Sequence, residues 1–269
     1  MEAAATTPSE APPPHPVVPP SLTEDGFLGG RLRILQPEKG YRAGIDSVFL
    51  AACVPCGPGE TLMEAGIGTG VAALCVLARM PNVHVTGVEI ATRHAMLAEE
   101  NAKRNNFSAN IRVIHGDVKD CLRRDLAQWP APGSFNHVFA NPPYYEHDKV
   151  HASPNASKAQ AQTFGAEDLE LWIKVLHTMV TLRGTCTLVH RAESLAVILA
   201  AMHDRFGDIR VAPLYAREGM AASRVIVQGV KGSRAPLQLL PGLVLHAEGN
   251  HFSPEAEAIL RDGLTWRLR

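Results

Sequence analysis

Short apolar segments alternate with amphipathic segments through the middle of the chain, and this alternation restricts the possible folds more than any other feature. The apolar segments have the length of buried strands, and the amphipathic ones repeat apolar residues at helical spacing. Predicted strands cover residues 61–65, 84–90, 111–115, 137–140 and 185–190, and predicted helices cover residues 71–79, 93–105, 169–182 and 195–206. The pattern predicts a doubly wound α/β fold, with a mostly parallel sheet and helices on both faces. Ligands of such sheets bind beyond the carboxyl ends of the strands.

The composition suits a folded protein without a strong electrostatic bias. Apolar residues make up 46% of the 269 residues, which excludes a wholly disordered chain. The 26 Lys and Arg residues nearly balance the 27 Asp and Glu residues, so binding to nucleic acid would require local basic clusters.

The remaining composition predicts a cytoplasmic protein that needs neither a membrane nor a metal. No apolar run reaches the length of a membrane helix, and the first ten residues lack the features of a secretory signal. The five cysteines are then expected to be reduced thiols. Cys53 and Cys56 have C-x-x-C spacing, but no second pair completes a zinc site.

Polar and glycine residues follow each of the first three predicted strands. The first ends in Glu64 and Ala65 and continues with Gly66, Gly68 and Gly70, directly before a helix. Alternate glycines let the backbone approach a ligand, and a helix N-terminus favours a carboxylate or phosphate. A nicotinamide fingerprint would need its third glycine one residue later. A tight turn without a ligand remains the alternative interpretation.

The next two strands end in acidic residues that suit a nucleoside. Glu89, followed by Ile90, can accept both hydroxyls of a ribose, and Asp117, followed by Val118, can accept from an adenine amino group. Either acid could instead cap the helix that follows it.

The fourth strand ends in Asn141, Pro142, Pro143 and Tyr144. The prolines fix the backbone and donate no hydrogen bond, so their carbonyls, together with the Asn side chain, can hold a planar NH₂ group. The Tyr ring offers a surface for stacking. The alternative is a proline turn with an incidental aromatic residue.

In this order and at these strand ends, the motifs resemble those of class I S-adenosylmethionine-dependent methyltransferases, and N-P-P-Y resembles the signature of members that methylate an exocyclic or amide nitrogen. The segment before the first strand, including residues 27–33 and 40–47, is similar to the start of the bacterial tRNA1(Val) adenine-N6 methyltransferases, where its counterpart covers the cofactor.

The resemblance implies a seven-stranded sheet, S-adenosylmethionine as cofactor and N6-methylation of an adenine in tRNA, with the anticodon-adjacent adenine of a valine tRNA as the family's target. It implies that the acceptor is bound and aligned by Asn141, Pro142, Pro143 and Tyr144. The cofactor-binding residues it implies are Gly44, Asp46, Glu64, Ala65, Gly66, Gly68, Gly70, Glu89, Ile90, Asp117, Val118 and Asn141.

RNA contacts are expected from local basic residues near the cleft, each of which could also be an ordinary surface charge. The candidates are Arg31, Arg33, Lys39 and Arg42 before the first strand, Lys158 after N-P-P-Y, and Lys231 and Arg234 after a late strand.

The predicted organisation has three parts. Residues 1–24 contain seven of the 20 prolines, three acids and no Lys or Arg, which predicts a disordered tail. The methyltransferase domain, with its cofactor-covering segment, is expected over residues 25–235, and a packed extension over residues 236–269.

Three other functions are compatible with the motifs. A glutamine-amide methyltransferase acting on a translation factor would use the same N-P-P-Y, although such enzymes usually carry a preceding helical domain. A DNA adenine methyltransferase usually carries a separate target-recognition domain. A non-catalytic cofactor-binding or RNA-binding protein is the third alternative.

Overall fold

A computed structural model describes residues 21–123, 129–144 and 165–269. Most of the predicted tail and Lys158 therefore lie outside the described residues. The strands are β1 Leu22–Phe27, β2 Leu32–Pro37, β3 Thr61–Ala65, β4 His84–Glu89, β5 Ile111–His115, β6 Phe135–Ala140, β7 Val180–Arg191, β8 Phe206–Tyr215, β9 Ala222–Lys231, β10 Gln238–Leu239 and β11 Leu243–Val244. The helices are α1 Ile45–Cys53, α2 Val71–Arg79, α3 Thr92–Arg104, α4 Ala166–Met179, α5 Leu195–Met202 and α6 Pro254–Asp262.

The described chain starts with an antiparallel hairpin of β1 and β2. Its pairing joins Leu22 to Pro37 and Glu24 to Leu35, and the Glu24 carboxylate also accepts from Arg104 Nη1 in α3 at 2.9 Å. The predicted tail boundary after residue 24 therefore falls inside a strand. Glu24, which the sequence places in the tail, forms an ion pair with the folded domain.

The main sheet has nine strands in the order β10-β8-β9-β7-β6-β3-β4-β5, and β11 also pairs with β8. Strands β3 to β7 are parallel, whereas β9 runs antiparallel to both β7 and β8. The expected seven strands correspond to β3–β9, and two strands of two residues each extend the sheet beyond β8. We call the edge where β3–β7 end the carboxyl edge, and the edge where they begin the amino edge.

Two predicted helices end earlier in the structure. Helix α4 stops at Met179 because Val180 pairs with Phe135 and starts β7, and α5 stops at Met202 before Phe206 starts β8. Both boundaries depend on strand pairing, which helical periodicity does not reveal.

Helices cover both faces of the sheet, as the sequence predicts. The hairpin, α1, α2, α3 and α6 pack on one face, and α4 and α5 pack on the other. Residues 236–269 take part through β10, β11 and α6, in which Ala256 and Ile259 are buried in the same core as Phe49 of α1. The two layers leave the carboxyl edge as the place where loops from neighbouring strands converge.

Candidate active site

A cavity of about 500 Å³ opens at the carboxyl edge, where β3 lies between β4 and β6. This is the point at which the chain reverses its direction of winding, and doubly wound sheets bind ligands there. The sequence-predicted residues that line the cavity are Gly66, Gly68, Glu89, Ile90, Asp117, Val118, Asn141, Pro142, Pro143 and Tyr144. The glycine turn and N-P-P-Y therefore share one open space.

The turn after β3 brings bare backbone to the cavity wall. Gly66 and Gly68 have φ values of 69° and 56°, in the left-handed region that glycine adopts without strain. A Cβ on Gly66 would lie 2.7 Å from Cη2 of Trp172, so no larger residue fits without moving that ring.

Glu89 holds this turn in place from the end of β4. Its Oε2 accepts a hydrogen bond from the Gly68 backbone N–H at 2.9 Å, and its Oε1 accepts from the Ala91 N–H at 2.9 Å. Each carboxylate oxygen has a second lone pair, so both oxygens can still accept from a ligand.

Of the residues predicted at the end of the first strand of the motif and in its turn, three lie outside the cavity lining: Glu64, Ala65 and Gly70. Glu64 is buried beneath the turn, where its Oε2 accepts from the Ala73 N–H at 2.9 Å, and burial raises the pKa of its carboxyl group. Gly70 caps α2 with φ 89°. Glu64 and Gly70 therefore support the turn from the side away from the cavity, and Gly66 and Gly68 form the side that faces it.

Asp117 combines a capping contact with a place on the cavity wall. Its Oδ1 accepts from the Lys119 N–H at 2.9 Å and so caps the 3-10 turn at Val118–Leu122. The Lys119 ammonium pairs with Asp168 of α4 at 3.3 Å, and both of these side chains line the cavity. The ion pair links the two sides of this part of the wall.

N-P-P-Y follows β6 with its polar groups facing one another. The Tyr144 hydroxyl donates a short hydrogen bond to Asn141 Oδ1, which is the acceptor expected to hold the target amine. Burial raises the pKa of the Tyr144 hydroxyl, and the nearby Asp46 carboxylate raises it further, so the hydroxyl stays a donor at neutral pH.

Three side chains from other elements surround Tyr144. The guanidinium carbon of Arg224 lies 5.1 Å from the centroid of the Tyr144 ring, and Arg224 Nε donates to Asp46 Oδ2 at 3.0 Å. The His190 ring makes a T-shaped contact with Tyr144 at a centroid distance of 4.8 Å. Neither ring nitrogen of His190 has a hydrogen-bond partner among the described residues, and burial lowers its pKa to about 4.

Asp46, which the resemblance assigns to the cofactor, pairs with Arg224 through its carboxylate and does not line the cavity. Gly44 caps the start of α1 and is also absent from the cavity lining; apart from its own chain neighbours, no atom of the described residues lies within 4 Å of the position its Cβ would take.

Sequence reasoning missed five residues that line the cavity: Tyr41, His94, Lys119, Asp168 and Trp172. Tyr41 approaches Gly68 and packs at a tilt on His94, with ring centroids 5.9 Å apart. Tyr41 lies in the family-like segment before the first strand, which was the one available signal. Trp172 reaches the site from α4, and no strand-end motif indicates it.

The first basic cluster is largely occupied by contacts within the domain. Arg42 pairs with Asp25 at 2.5 Å, Arg33 pairs with Glu24 at 3.5 Å, and Arg31 Nε donates to the Leu28 carbonyl. Lys39 is exposed. These residues are therefore weaker candidates for RNA contact than their spacing suggests.

The second basic cluster lies at the opposite edge of the sheet. Since β9 runs antiparallel to its neighbours, its last residue, Lys231, is at the amino edge, and Arg234 follows it. Lys231 Nζ donates to the carbonyls of His177 and Val180, each at 2.7 Å. The expectation that Lys231 and Arg234 lie near the cleft is wrong.

Within the described ranges, no group of three or more His, Cys, Asp or Glu side chains could hold a metal ion. No helix there combines the length and apolar character that crossing a membrane requires. All five cysteines are free thiols.

Comparison with known proteins agrees with the α/β fold and with the methyltransferase motifs predicted from the sequence. The family model described as "Methyltransferase small domain" matches residues 42–178. A protein of Shewanella sp. (strain MR-4) named tRNA1(Val) (adenine(37)-N6)-methyltransferase is 25% identical over 214 residues, covering 79% of this chain and 87% of that protein. A protein of the same name from Actinobacillus succinogenes is 23% identical over 88% of this chain and 96% of its own length.

Among solved structures, a protein of Agrobacterium tumefaciens described as a predicted O-methyltransferase superposes with a TM-score of 0.69. It is 28% identical in sequence, and the match covers 82% of this chain and 98% of that chain.

Proposed function

We propose that this chain, which belongs to the methyltransferase small domain family, transfers a methyl group from S-adenosylmethionine to N6 of an adenine in tRNA. The observation that carries the proposal is that Asn141, Pro142 and Tyr144 line the same cavity as Gly66 and Gly68. An acceptor held by the first group would face a donor held by the second. The relatives named as tRNA1(Val) adenine(37)-N6 enzymes support adenine in tRNA as the acceptor, with a valine tRNA as the first to test. The reaction is expected in the cytoplasm.

The residues at the glycine turn suit S-adenosylmethionine. A volume of about 500 Å³ is within the range of small-molecule sites. Backbone at Gly66 and Gly68 can approach the amino-acid part of the cofactor, while the Glu89 carboxylate accepts from the ribose hydroxyls and Asp117 from the adenine amine. Aromatic rings of Tyr41 and Trp172 line the same space and suit a cationic sulfonium.

Asn141 and the Pro142 carbonyl act on the acceptor. They accept hydrogen bonds from the two hydrogens of the target amine, which draws the nitrogen lone pair out of conjugation with the ring and directs it into the cavity. The Tyr144 hydroxyl leaves Asn141 Oδ1 when the amine arrives, and its ring then stacks on the base. S-adenosylmethionine, when bound, would supply an already activated methyl group: its S–CH₃ bond would break as the N–CH₃ bond forms, S-adenosylhomocysteine would leave, and the amine proton would pass to water after transfer.

The test is methylation of tRNA by the purified chain with methyl-labelled S-adenosylmethionine, followed by digestion to nucleosides and mass spectrometry. The expected product is N6-methyladenosine in a valine tRNA, and no label in the same tRNA carrying guanine in place of the target adenine.

Other outcomes would identify the alternatives. Label in a glutamine side chain of a translation factor would indicate the amide methyltransferase, and label on a hydroxyl group would agree with the O-methyltransferase description of the Agrobacterium protein. Calorimetric binding of S-adenosylmethionine without transfer to any acceptor would indicate a non-catalytic protein.

A further inference from the structure

Three side chains from distant parts of the sequence meet beside the proposed acceptor site. Asp46 lies in the first turn of α1, Arg224 lies near the start of β9, and Tyr144 ends N-P-P-Y. Arg224 Nε bonds to Asp46 Oδ2 at 3.0 Å, and its guanidinium carbon lies 5.1 Å from the centroid of the Tyr144 ring. Arg224 Nη1 also donates to the Ser223 carbonyl at 3.1 Å, which further restricts the guanidinium.

We propose that Arg224, fixed by Asp46, is a positioning residue that holds the Tyr144 ring in the orientation needed to stack the target base. The inference rests on the proposed function, since it assigns Arg224 a part in binding the acceptor. A guanidinium within about 6 Å of an aromatic centroid attracts the ring, and it does so more strongly when water is partly excluded. Here the Arg224 and Asp46 side chains are only 29% and 22% exposed.

The contacts restrict Tyr144 from several sides. Its hydroxyl is bonded to Asn141, His190 makes a T-shaped contact with its ring, and Arg224 lies over the ring. When the target amine displaces the hydroxyl from Asn141, the first of these contacts is lost. Arg224 and His190 then hold the ring, and of the two only Arg224 is itself fixed by an ion pair. The arginine contact therefore matters most in the state that binds the base.

The proposal also explains the position of Asp46. Its carboxylate is directed to Arg224 and does not line the cavity in which the cofactor is expected. Asp46 thus acts on the acceptor side, through Arg224. A lysine at position 224 could keep the charge but could not form the planar, bonded arrangement of a guanidinium.

A double-mutant cycle tests the contact and its consequence separately. The variants are Arg224→Ala, Tyr144→Ala and the double variant. In the absence of any acceptor, urea denaturation should show that the effects of the two substitutions on stability are coupled. In steady-state kinetics, Arg224→Ala should lower kcat/KM for tRNA about tenfold. The same substitution in the Tyr144→Ala background should change it less than about twofold.

Two further variants and one control sharpen the test. Arg224→Lys should resemble Arg224→Ala more than the wild type, and Asp46→Asn should lower kcat/KM for tRNA without changing the calorimetric Kd for S-adenosylmethionine by more than about twofold. The matched control is Arg191→Ala, because Arg191 is the cross-strand partner of Arg224 and pairs with Glu193 instead. It should keep wild-type kinetics.

The outcomes separate this proposal from the proposed function. If the wild type does not methylate tRNA, the proposed function fails, and the denaturation cycle still decides whether Arg224 holds Tyr144. If the wild type methylates tRNA but the two substitutions have independent, multiplying effects on kcat/KM, Arg224 contacts RNA directly and the proposal is overturned. Equal damage from Arg191→Ala would overturn it as well, because it would show an effect of charge alone.

Discussion

The two edges of the sheet differ in how their polar side chains are bonded: those at the amino edge bond within the protein, whereas several at the carboxyl edge lie beside the cavity. At the amino edge, His137 Nε2 contacts Glu60 Oε2 at 3.0 Å and His137 Nδ1 contacts Thr185 Oγ1 at 2.8 Å. Lys231 Nζ donates to the carbonyls of His177 in α4 and of Val180 at the start of β7. Each of these groups bonds to another part of the protein, so these contacts contribute to stability.

At the carboxyl edge the polar groups border open space. Asn141 and Tyr144 are bonded to each other but line the cavity. His190, which packs against Tyr144, is buried outside the cavity lining, and its ring nitrogens have no bonding partner among the described residues. Incompletely satisfied groups reduce stability and remain available for binding. We therefore expect substitutions at the carboxyl edge to change function and those at the amino edge to change stability.

The sharpest test compares the two ends of β6, where an asparagine occupies each edge. Asn141→Ala should lower kcat by about 100-fold or more, because it removes a preorganised acceptor for the target amine. The Kd for S-adenosylmethionine, measured by calorimetry, should stay within about twofold of the wild type. Loss of cofactor binding would show that Asn141 acts on the donor instead.

Asn136→Ala is the matched control for that substitution. Asn136 Oδ1 accepts from the Thr61 N–H at 2.9 Å at the start of the same strand. The variant should lose about 1 kcal/mol of unfolding free energy and keep its turnover. A large fall in kcat would contradict the division of roles between the edges.

His137→Ala should destabilise the protein by about 1–3 kcal/mol, because it leaves Glu60 and Thr185 without their shared partner. Urea denaturation measures the loss, and kcat measured well below the melting temperature should be unchanged. A fall in kcat without any loss of stability would show that the amino edge takes part in the reaction.

His190→Phe should make the protein less sensitive to acid. Burial lowers the pKa of His190 to about 4, whereas the ordinary value is 6.5. Between these values the unfolded state binds more protons, so the wild type loses stability as the pH falls through this window. The variant should lose less stability over this pH range. At neutral pH its free energy of unfolding should exceed that of the wild type by about 1 kcal/mol, because no buried polar ring remains unpaired.

Thermal melts between pH 4 and pH 7 measure this difference. His203→Gln is the control, because the His203 side chain is 82% exposed, and it should reproduce the wild-type profile. An unchanged profile in His190→Phe would show that another group causes the acid sensitivity.

Lys231→Met gives the smallest expected effect. Loss of its two bonds to the carbonyls of His177 and Val180 should cost about 0.5–1 kcal/mol of unfolding free energy in a partly exposed setting. Because Lys231 lies at the amino edge, the affinity for tRNA at physiological salt should stay within about twofold of the wild type. Weaker RNA binding, with a reduced salt dependence, would restore Lys231 as an RNA contact.

The central fold could be predicted because its signals are local. Residues Thr61–Ala65 and Val71–Arg79 form the predicted strand and helix, since apolar runs and helical spacing are properties of short segments. The end of α4 at Met179 and the start of β1 at Leu22 were missed. Both depend on pairing with residues far away in the sequence.

The candidate site likewise contains residues that local sequence signals predict and residues that they do not. Glu89, Asp117 and Asn141 each follow a parallel strand, so strand direction alone brings them to one edge. Arg224 was missed and Lys231 was placed on the wrong side for one reason: β9 runs antiparallel, which puts its first residues at the carboxyl edge. Nothing in the composition of β9 shows its direction.

The Tyr144 hydroxyl donates to Asn141 Oδ1, so an incoming group must displace this hydroxyl before it can bond to the same oxygen. A water molecule or a small aliphatic amine would gain one hydrogen bond at Asn141 and would displace the one that the Tyr144 hydroxyl makes there. A nucleobase offers ring surface to the same tyrosine and so compensates for the exchange. We therefore expect the site to favour acceptors that are flat as well as aminated.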